Sequence, residues 1–523
     1  MIGTKKNPVD FLKDYMKPNF LIVMTDQQRA DLRKSRGYAL DTMPFLDSWG
    51  KGGVDFSCAY TPNPTCLPAR ASMFTGRFSQ SHKVRTNHNA EDALYTADLL
   101  DLFKRSGYVT GLCGKNHSYH PPKDFDFAET SGHLGREGNW IPKGEKEEAF
   151  ARFMDETKHM EMHYPTPGGV EVQHPYRNVS SAFKFLDSKH KEQPFFLWLS
   201  FAEPHNPYQV PELYFDLFPP ESLPVIKTGP ENLKDKGHKY TWLRGVWEKV
   251  LGPDIERRIL RARSNYHCML RLIDDQFKRM IEGLEERKLL ENTVVIFLSD
   301  HGDFVGEYGL IRKGLDLPEV LTRIPFVYCG PGIKAQGINN EACVNIVDIL
   351  PTVCDLLEEE IPFGVQGKTL LPILKGEVYP KKEYEVAYSE SGFGGLYWDE
   401  EDSLDLVSEG ASKAYSEEGR PITFDCLNTW TQCGQTRMVR KGRYKIQMDM
   451  MGTGYLYDLE TDPMEINNLF NDQSYITVKA DMLTELNAAM LRASDPIPAP
   501  RHRYHYKMPP KGWWFGERIR NEK

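Results

Sequence analysis

A cysteine, a proline and an arginine stand two residues apart in the stretch Pro64-Thr65-Cys66-Leu67-Pro68-Ala69-Arg70, and Thr75-Gly76-Arg77 follows shortly after. A thiol is a nucleophile, and a guanidinium is a permanent cation with a fork of donors suited to a tetrahedral oxyanion. Pro68 fits the first position of a helix, where an N–H would be unpaired anyway, and Gly76 fits its end. The spacing therefore predicts a short helix over 69–75. Cys66 would lie just before its N-terminus, where free N–H groups and the dipole favour an anion. Other polar residues follow apolar runs in the same way: Asp26-Gln27 after 20–24, Lys115-Asn116-His117 after 108–113, His205 after 194–200, and Asp300-His301 after 292–298. Continuous apolar runs of this length read as strands buried on both faces. A parallel sheet gathers such strand-end residues on one edge.

The elements that must position these residues follow from the rest of the pattern. The fold class expected is α/β: a large, mostly parallel sheet flanked by helices, followed by a smaller C-terminal α+β unit with an antiparallel sheet. Helices are expected over 42–49 and 91–104. A long amphipathic helix carries Tyr266, Met269, Ile273, Phe277, Met280 and Leu284, with Asp274, Asp275, Lys278 and Arg279 on its wet side. Residues 118–190 and 209–255 lack sustained periodicity and read as insertions over the active-site face. His120, His133, His163 and His174 receive no role. From residue 377 the pattern turns to short strands and hairpins, then a helix over about 473–493. The division expected is 1–376 for the catalytic unit and 377–523 for the smaller one. The tail, with Arg501, His502, Trp513 and Trp514, is placed to fold back on the body or to meet a neighbouring subunit of a homo-oligomer.

The Cys66-x-Pro68-x-Arg70 pattern with Thr75-Gly76-Arg77 resembles the signature of the type I sulfatases, in the alkaline-phosphatase-like superfamily; Ala69 stands where serine is commoner. The resemblance extends to Gly114-Lys115-Asn116-His117, to Pro204-His205-Asn206-Pro207, to Ser299-Asp300-His301-Gly302-Asp303 and Lys313, and to Leu456-Tyr457-Asp458-Leu459 near the C-terminus. Gln27 after Asp26 is similar to the choline-sulfatase and phosphonate-monoester-hydrolase branch. The resemblance implies that Cys66 is oxidised to formylglycine (3-oxoalanine) by a formylglycine-generating enzyme, and that its hydrate attacks sulfur. It implies a divalent cation on Asp26, Gln27, residue 66, Asp300 and His301, with calcium the first expectation and manganese or magnesium the alternatives. Arg70, Lys115 and Lys313 would stabilise developing charge, His205 protonate the leaving oxygen and His117 assist the second step. Arg77 would brace the motif. Asn87 and His88 lie close enough to the signature to line a substrate pocket.

The function expected is hydrolysis of a small-molecule or oligosaccharide sulfate ester, a sugar sulfate above all. The alternatives are a phosphonate monoester or phosphodiester hydrolase on the same scaffold, a degenerate binding protein, and a hydrolase using an unmodified thiol. With 65 basic and 74 acidic residues the net charge is −9, which argues against a general nucleic-acid binder. The nine cysteines are scattered without a C-x-x-C pair, and free thiols of a reducing compartment are expected, with Cys426–Cys433 the one candidate bridge. The N-terminus shows no apolar signal core and no run spans a membrane, so the expectation is cytoplasmic, or periplasmic or secreted if a signal has been trimmed.

Overall fold

The computed structural model describes residues 17–157, 159–188, 193–314, 316–394, 434–494 and 510–515. Eight strands form one sheet in the order β4-β3-β5-β1-β6-β7-β2-β8. They are β1 (Asn19–Asp26), β2 (Val54–Tyr60), β3 (Val109–Lys115), β4 (Phe127–Ser131), β5 (Phe195–Pro204), β6 (Thr293–Ser299), β7 (Phe326–Cys329) and β8 (Gly337–Asn345). Neighbours run parallel except at β7, which is antiparallel to both β6 and β2. The helices that matter here are α1 (Pro44–Trp49), α2 (Cys66–Thr75), α3 (Leu99–Arg105), α4 (Glu145–Glu156), α5 (His174–Ser188), α6 (His238–Leu251), α7 (Ile255–Glu286), α8 (Ile349–Leu356) and α9 (Ile476–Ser494).

Alternate residues of the central strands feed two separate cores. Leu21, Val23, Leu197, Leu199 and Phe297 pack with Phe185 of α5 and Phe277 of α7. Phe20, Ile22, Trp198 and Ile296 pack with Phe74 of α2, Phe103 of α3 and Val353 of α8. Both faces are covered, so the strands read as unbroken apolar runs rather than as alternating ones. Each such side chain contributes about 1.5–3 kcal/mol by leaving water.

Several expectations need correction. Segment 118–190 is not a surface insertion throughout: it supplies edge strand β4, paired in parallel with β3, and α5, whose Val179, Ala182 and Phe185 are core. Segment 209–255 includes α6, with Trp247 fully buried. Helix α3 begins at Leu99, because Asp98 caps it by accepting from Asp101 N at 2.9 Å while the Asp101 carboxylate accepts from Asp98 N. Asp274 is not on the wet side of α7. It is fully buried and accepts from Phe45 N (2.7 Å) and Leu46 N (2.8 Å), occupying the otherwise unpaired N-terminus of α1. Asp275 beside it accepts from Tyr214 OH at 2.7 Å.

The second sheet has the antiparallel order β12-β11-β10-β9, from β9 (Val386–Ser391), β10 (Thr436–Lys441), β11 (Tyr444–Asp449) and β12 (Gly454–Asp458). Val439, Ile446 and Leu456 pack against Met482, Leu486 and Ala489 of α9. A buried ion cluster joins this sheet to the first. Lys445, fully buried, lies 2.8 Å from Glu465 and 3.2 Å from Glu319, and donates to Leu317 O at 2.6 Å. Tyr60 at the end of β2 donates to Glu319 at 2.8 Å and accepts from Arg440 at 2.8 Å. The tail returns to the body at Trp513, whose Nε1 donates to Tyr384 OH at 3.1 Å. Arg501, His502, Cys426 and Cys433 lie outside the described residues, and the seven described cysteines are free. Among the described residues no helix is long and apolar enough to cross a membrane.

Candidate active site

Helix α2 starts at Cys66 itself, three residues earlier than the proline suggested. Thr65 is extended and its carbonyl accepts from Ala69 N at 3.0 Å. Pro68 is then the third helical residue, still within the first turn, where no backbone partner is lost. Gly76 ends the helix at φ 63°, a left-handed conformation that glycine adopts without a Cβ clash. All ten residues of α2 are buried.

The C-terminal ends of β1, β3, β5 and β6 meet this N-terminus. One donor atom each from Asp26, Cys66, Asp300 and His301 lies within 4.8 Å of the other three. Cys66 Sγ is 3.5 Å from Asp26 Oδ1, 3.2 Å from His301 Nε2 and 3.2 Å from Lys313 Nζ. His301 Nδ1 faces Gly302 O at 2.9 Å, which places the ring proton there and turns the Nε2 lone pair toward the carboxylates. Gln27 completes the set. Its Nε2 donates to Asp303 Oδ2 at 2.5 Å and its N donates to Asp300 Oδ1 at 3.1 Å, while Oε1 is buried with no hydrogen-bond partner. Gln27 also holds φ 70°, which costs a non-glycine residue about 1–3 kcal/mol. Buried amide oxygens are almost always paired. A strained residue with a buried orphan oxygen, bonded through its backbone N–H to one carboxylate of a cluster of two carboxylates, an imidazole and a thiol, fits a cation site.

Arg70 does something other than grip an oxyanion. Its Nε donates to Asp300 Oδ2 (3.0 Å), Nη2 to Asp26 Oδ2 (3.0 Å) and Nη1 to Ser200 Oγ (2.8 Å) and Lys115 O (3.2 Å). The guanidinium is thus committed to the outer oxygens of the two carboxylates, aiming their inner oxygens together. Lys115 Nζ pairs with Asp26 Oδ2 and donates to His133 Nε2 at 2.6 Å. Lys313 Nζ contacts His205 Nε2 at 3.2 Å, and His205 Nδ1 donates to Asn206 O at 2.6 Å.

These charges set the protonation states. Burial and Asp26 push the Cys66 thiol up, but Lys115, Lys313 and His301 outweigh them and bring it down to about 6. Burial raises the Asp26 carboxyl, yet Lys115, His205 and Arg70 hold it well below the usual range. Burial and the neighbouring Asp26 push Asp300 up. Burial and Lys313 hold His205 neutral; burial and Lys115 do the same for His117, which is half-buried beside them.

The structure therefore brings Asp26, Gln27, Cys66, Arg70, Lys115, His205, Asp300, His301 and Lys313 into one cluster. Asn87 accepts from Leu67 N at 3.0 Å, filling the first open donor of α2 next to Cys66. His88 is exposed and tied only through its backbone, to Thr86 Oγ1. Arg77 lies behind the helix and donates to Leu94 O and Phe363 O. Sequence reasoning missed Asp303, and it missed His133, whose ring stacks on His205 with centroids 3.8 Å apart. His133 stands two residues past β4, so the strand-end rule would have found it had β4 been recognised.

Comparison with known proteins agrees with this geometry. The Sulfatase family matches residues 18–359, and a Protein of unknown function family (DUF229) matches 261–479. The chain is 27% identical over 487 residues to an arylsulfatase of Clostridium perfringens, covering 88% of this chain and 92% of the relative. It is 26% identical over 498 residues to an ulvan-active sulfatase of Formosa agariphila, covering 92% and 82%. The solved phosphonate monoester hydrolase of Agrobacterium radiobacter superposes with a TM-score of 0.71 at 21% identity, covering 90% and 96%, which shows a shared fold. The chain belongs to the sulfatase family, the hydrolases of sulfuric esters.

Proposed function

We propose that this sulfatase acts on a carbohydrate sulfate, with residue 66 oxidised to formylglycine and a divalent cation, calcium by first preference, held by Asp26, Gln27, Asp300 and His301. The observation that carries the reading is the buried cluster of Asp26, Asp300, His301 and Cys66, with Gln27, whose Oε1 is orphaned, tied to Asp300 through its backbone N–H. The cation supplies Lewis acidity. Formylglycine at residue 66, as its hydrate, would supply a nucleophilic hydroxyl and a second, ionisable one. Lys313, in contact with residue 66, and Lys115, paired with Asp26, neutralise the sulfate head group. Arg70 orients Asp26 and Asp300 from behind. The departing oxygen takes its proton from the Lys313–His205 pair, with Lys313 the donor in contact, because the neutral His205 ring accepts through Nε2. To His117, which burial and the Lys115 charge hold neutral, we assign the proton of the second hydroxyl. The sugar preference draws on the ulvan-active relative.

Two measurements test this. The intact mass of the peptide bearing Cys66 distinguishes thiol from aldehyde. Turnover of sulfate, phosphate and phosphonate esters of one alcohol separates the sulfatase from a phosphonate monoester hydrolase, the second reading that Asp26-Gln27 keeps in view. The proposal fails if sulfate esters are untouched while phosphonate esters are hydrolysed. Its carbohydrate part fails if no sulfated mono- or disaccharide is turned over.

A further inference from the structure

One imidazole in the cluster is committed on one side only. Lys115 Nζ lies 2.6 Å from His133 Nε2. An ammonium has donors and no acceptor, so Nε2 accepts and the neutral ring carries its proton on Nδ1. That Nδ1 is buried and has no hydrogen-bond partner among the described residues. The contrast with its neighbour is informative: His205 Nδ1 is satisfied by Asn206 O at 2.6 Å. The two rings stack at 3.8 Å and 25°, and His159 stands edge-on to His133 at 5.8 Å. His133 therefore touches both arms of the anion site. It holds Lys115 through Nε2, and it backs the ring that meets Lys313, which in turn lies 3.2 Å from Cys66 Sγ.

We infer that His133 is a substrate-binding residue: it sets the Lys115 ammonium and satisfies its own spare Nδ1–H with an oxygen of the tetrahedral sulfate head group. A buried N–H without an acceptor is unfavourable, and a ligand made only of acceptor oxygens removes that cost. The inference rests on the sulfatase reading and adds to it a contact from the segment after β4.

Titrating inorganic sulfate into the full-length protein by calorimetry tests it without requiring turnover. His133→Phe keeps a ring on His205 and loses both nitrogens; His133→Gln keeps an acceptor and a donor. We expect His133→Phe to weaken sulfate binding about 10- to 100-fold, to lower kcat/KM on 4-nitrophenyl sulfate by a similar factor, and to leave the melting temperature nearly unchanged. His133→Gln should recover affinity to within a few-fold. Equal sulfate affinity in wild type and His133→Phe overturns the inference, as does a His133→Gln protein no better than His133→Phe. Wild type that neither binds sulfate nor hydrolyses a sulfate ester sinks the sulfatase reading and this inference together.

Discussion

The molecule buries charge in two places, and they are built differently. At the rim of the large sheet, Asp26, Asp300, Arg70, Lys115, Lys313 and His301 crowd around Cys66, yet Gln27 Oε1 and His133 Nδ1 have no partner. At the seam with the small sheet, Lys445, Glu319, Glu465 and Tyr60 are also buried, with the partly exposed Arg440 against Tyr60, and none of their side-chain nitrogens or oxygens is a buried atom without a partner. Taking charge out of water is expensive unless every lone pair and proton is matched. The seam meets that requirement within the chain. The rim does not, and its remaining valences are those a cation and an anion would fill. Between these two clusters, incomplete satisfaction marks the difference more sharply than burial or charge count does.

The comparison can be broken at either end. The largest effect is expected for Cys66→Ala, which should lower sulfate-ester turnover by roughly 10⁴-fold or more while thermal unfolding barely moves; an active Cys66→Ala protein would empty the rim of its function. Lys445→Ala should do the opposite. It strands two buried carboxylates and should cost about 3–5 kcal/mol in denaturant unfolding, with kcat per folded molecule unchanged. If Lys445→Ala instead destroyed turnover at intact stability, the two clusters would not be distinct in kind.

A finer cut lies between the two. Asp303 accepts from Gln27 Nε2, Tyr208 OH and Val305 N, and so fixes the Gln27 amide with its nitrogen held and its oxygen left unpaired. Asp303→Asn frees the amide to flip. Calcium affinity should drop about 10- to 100-fold by calorimetry, and the rise in melting temperature on adding calcium should shrink with it. Unchanged affinity would remove Asp303 from the account.

The smallest effect concerns a third, minor cluster, in which His120 Nε2 lies 2.6 Å from Asp98 and Nδ1 3.2 Å from Asp124. Burial disfavours the imidazolium, but the hydrogen bonds and charges of Asp98 and then Asp124 outweigh it and raise its pKa. A raised value in the fold means stabilisation that is complete below the unfolded histidine's pKa and fades as pH climbs through the folded one. His120→Asn should therefore cost roughly 1 kcal/mol in mildly acid solution and less in alkaline solution. A loss that grows with pH would contradict the assignment.

Much of this was legible because strands β1, β3, β5 and β6 carry mainly apolar stretches and each delivers a polar residue that matters at or just past its end. Order in the chain thus translated directly into position along one edge. Strand β4 escaped because Phe127-Ala-Glu-Thr-Ser131 is a short edge strand with three polar residues in five, two of them buried, so it shows no apolar run. Missing it hid His133. Asp274 has the polar character of a wet helix face, and only the tertiary approach of α1 turns that carboxylate into a cap. Arg70 was read as an oxyanion grip because its fork suits one. That the fork is already filled by Asp26, Asp300 and Ser200 depends on three strands at once, which spacing along the chain cannot express. The Gln27–Asp303 bond is of the same kind.

The enclosure of α2 bears on when residue 66 can be modified. Cys66 is 1% exposed, and its helix is buried along its whole length, its own Met73 and Phe74 lying in the second core with Leu350. An enzyme that oxidises this side chain has to reach it, and in the finished fold Cys66 and all of α2 are buried. The proposed conversion thus belongs to the interval between synthesis and compaction, and protein that folds unconverted is expected to stay so until it is unfolded again.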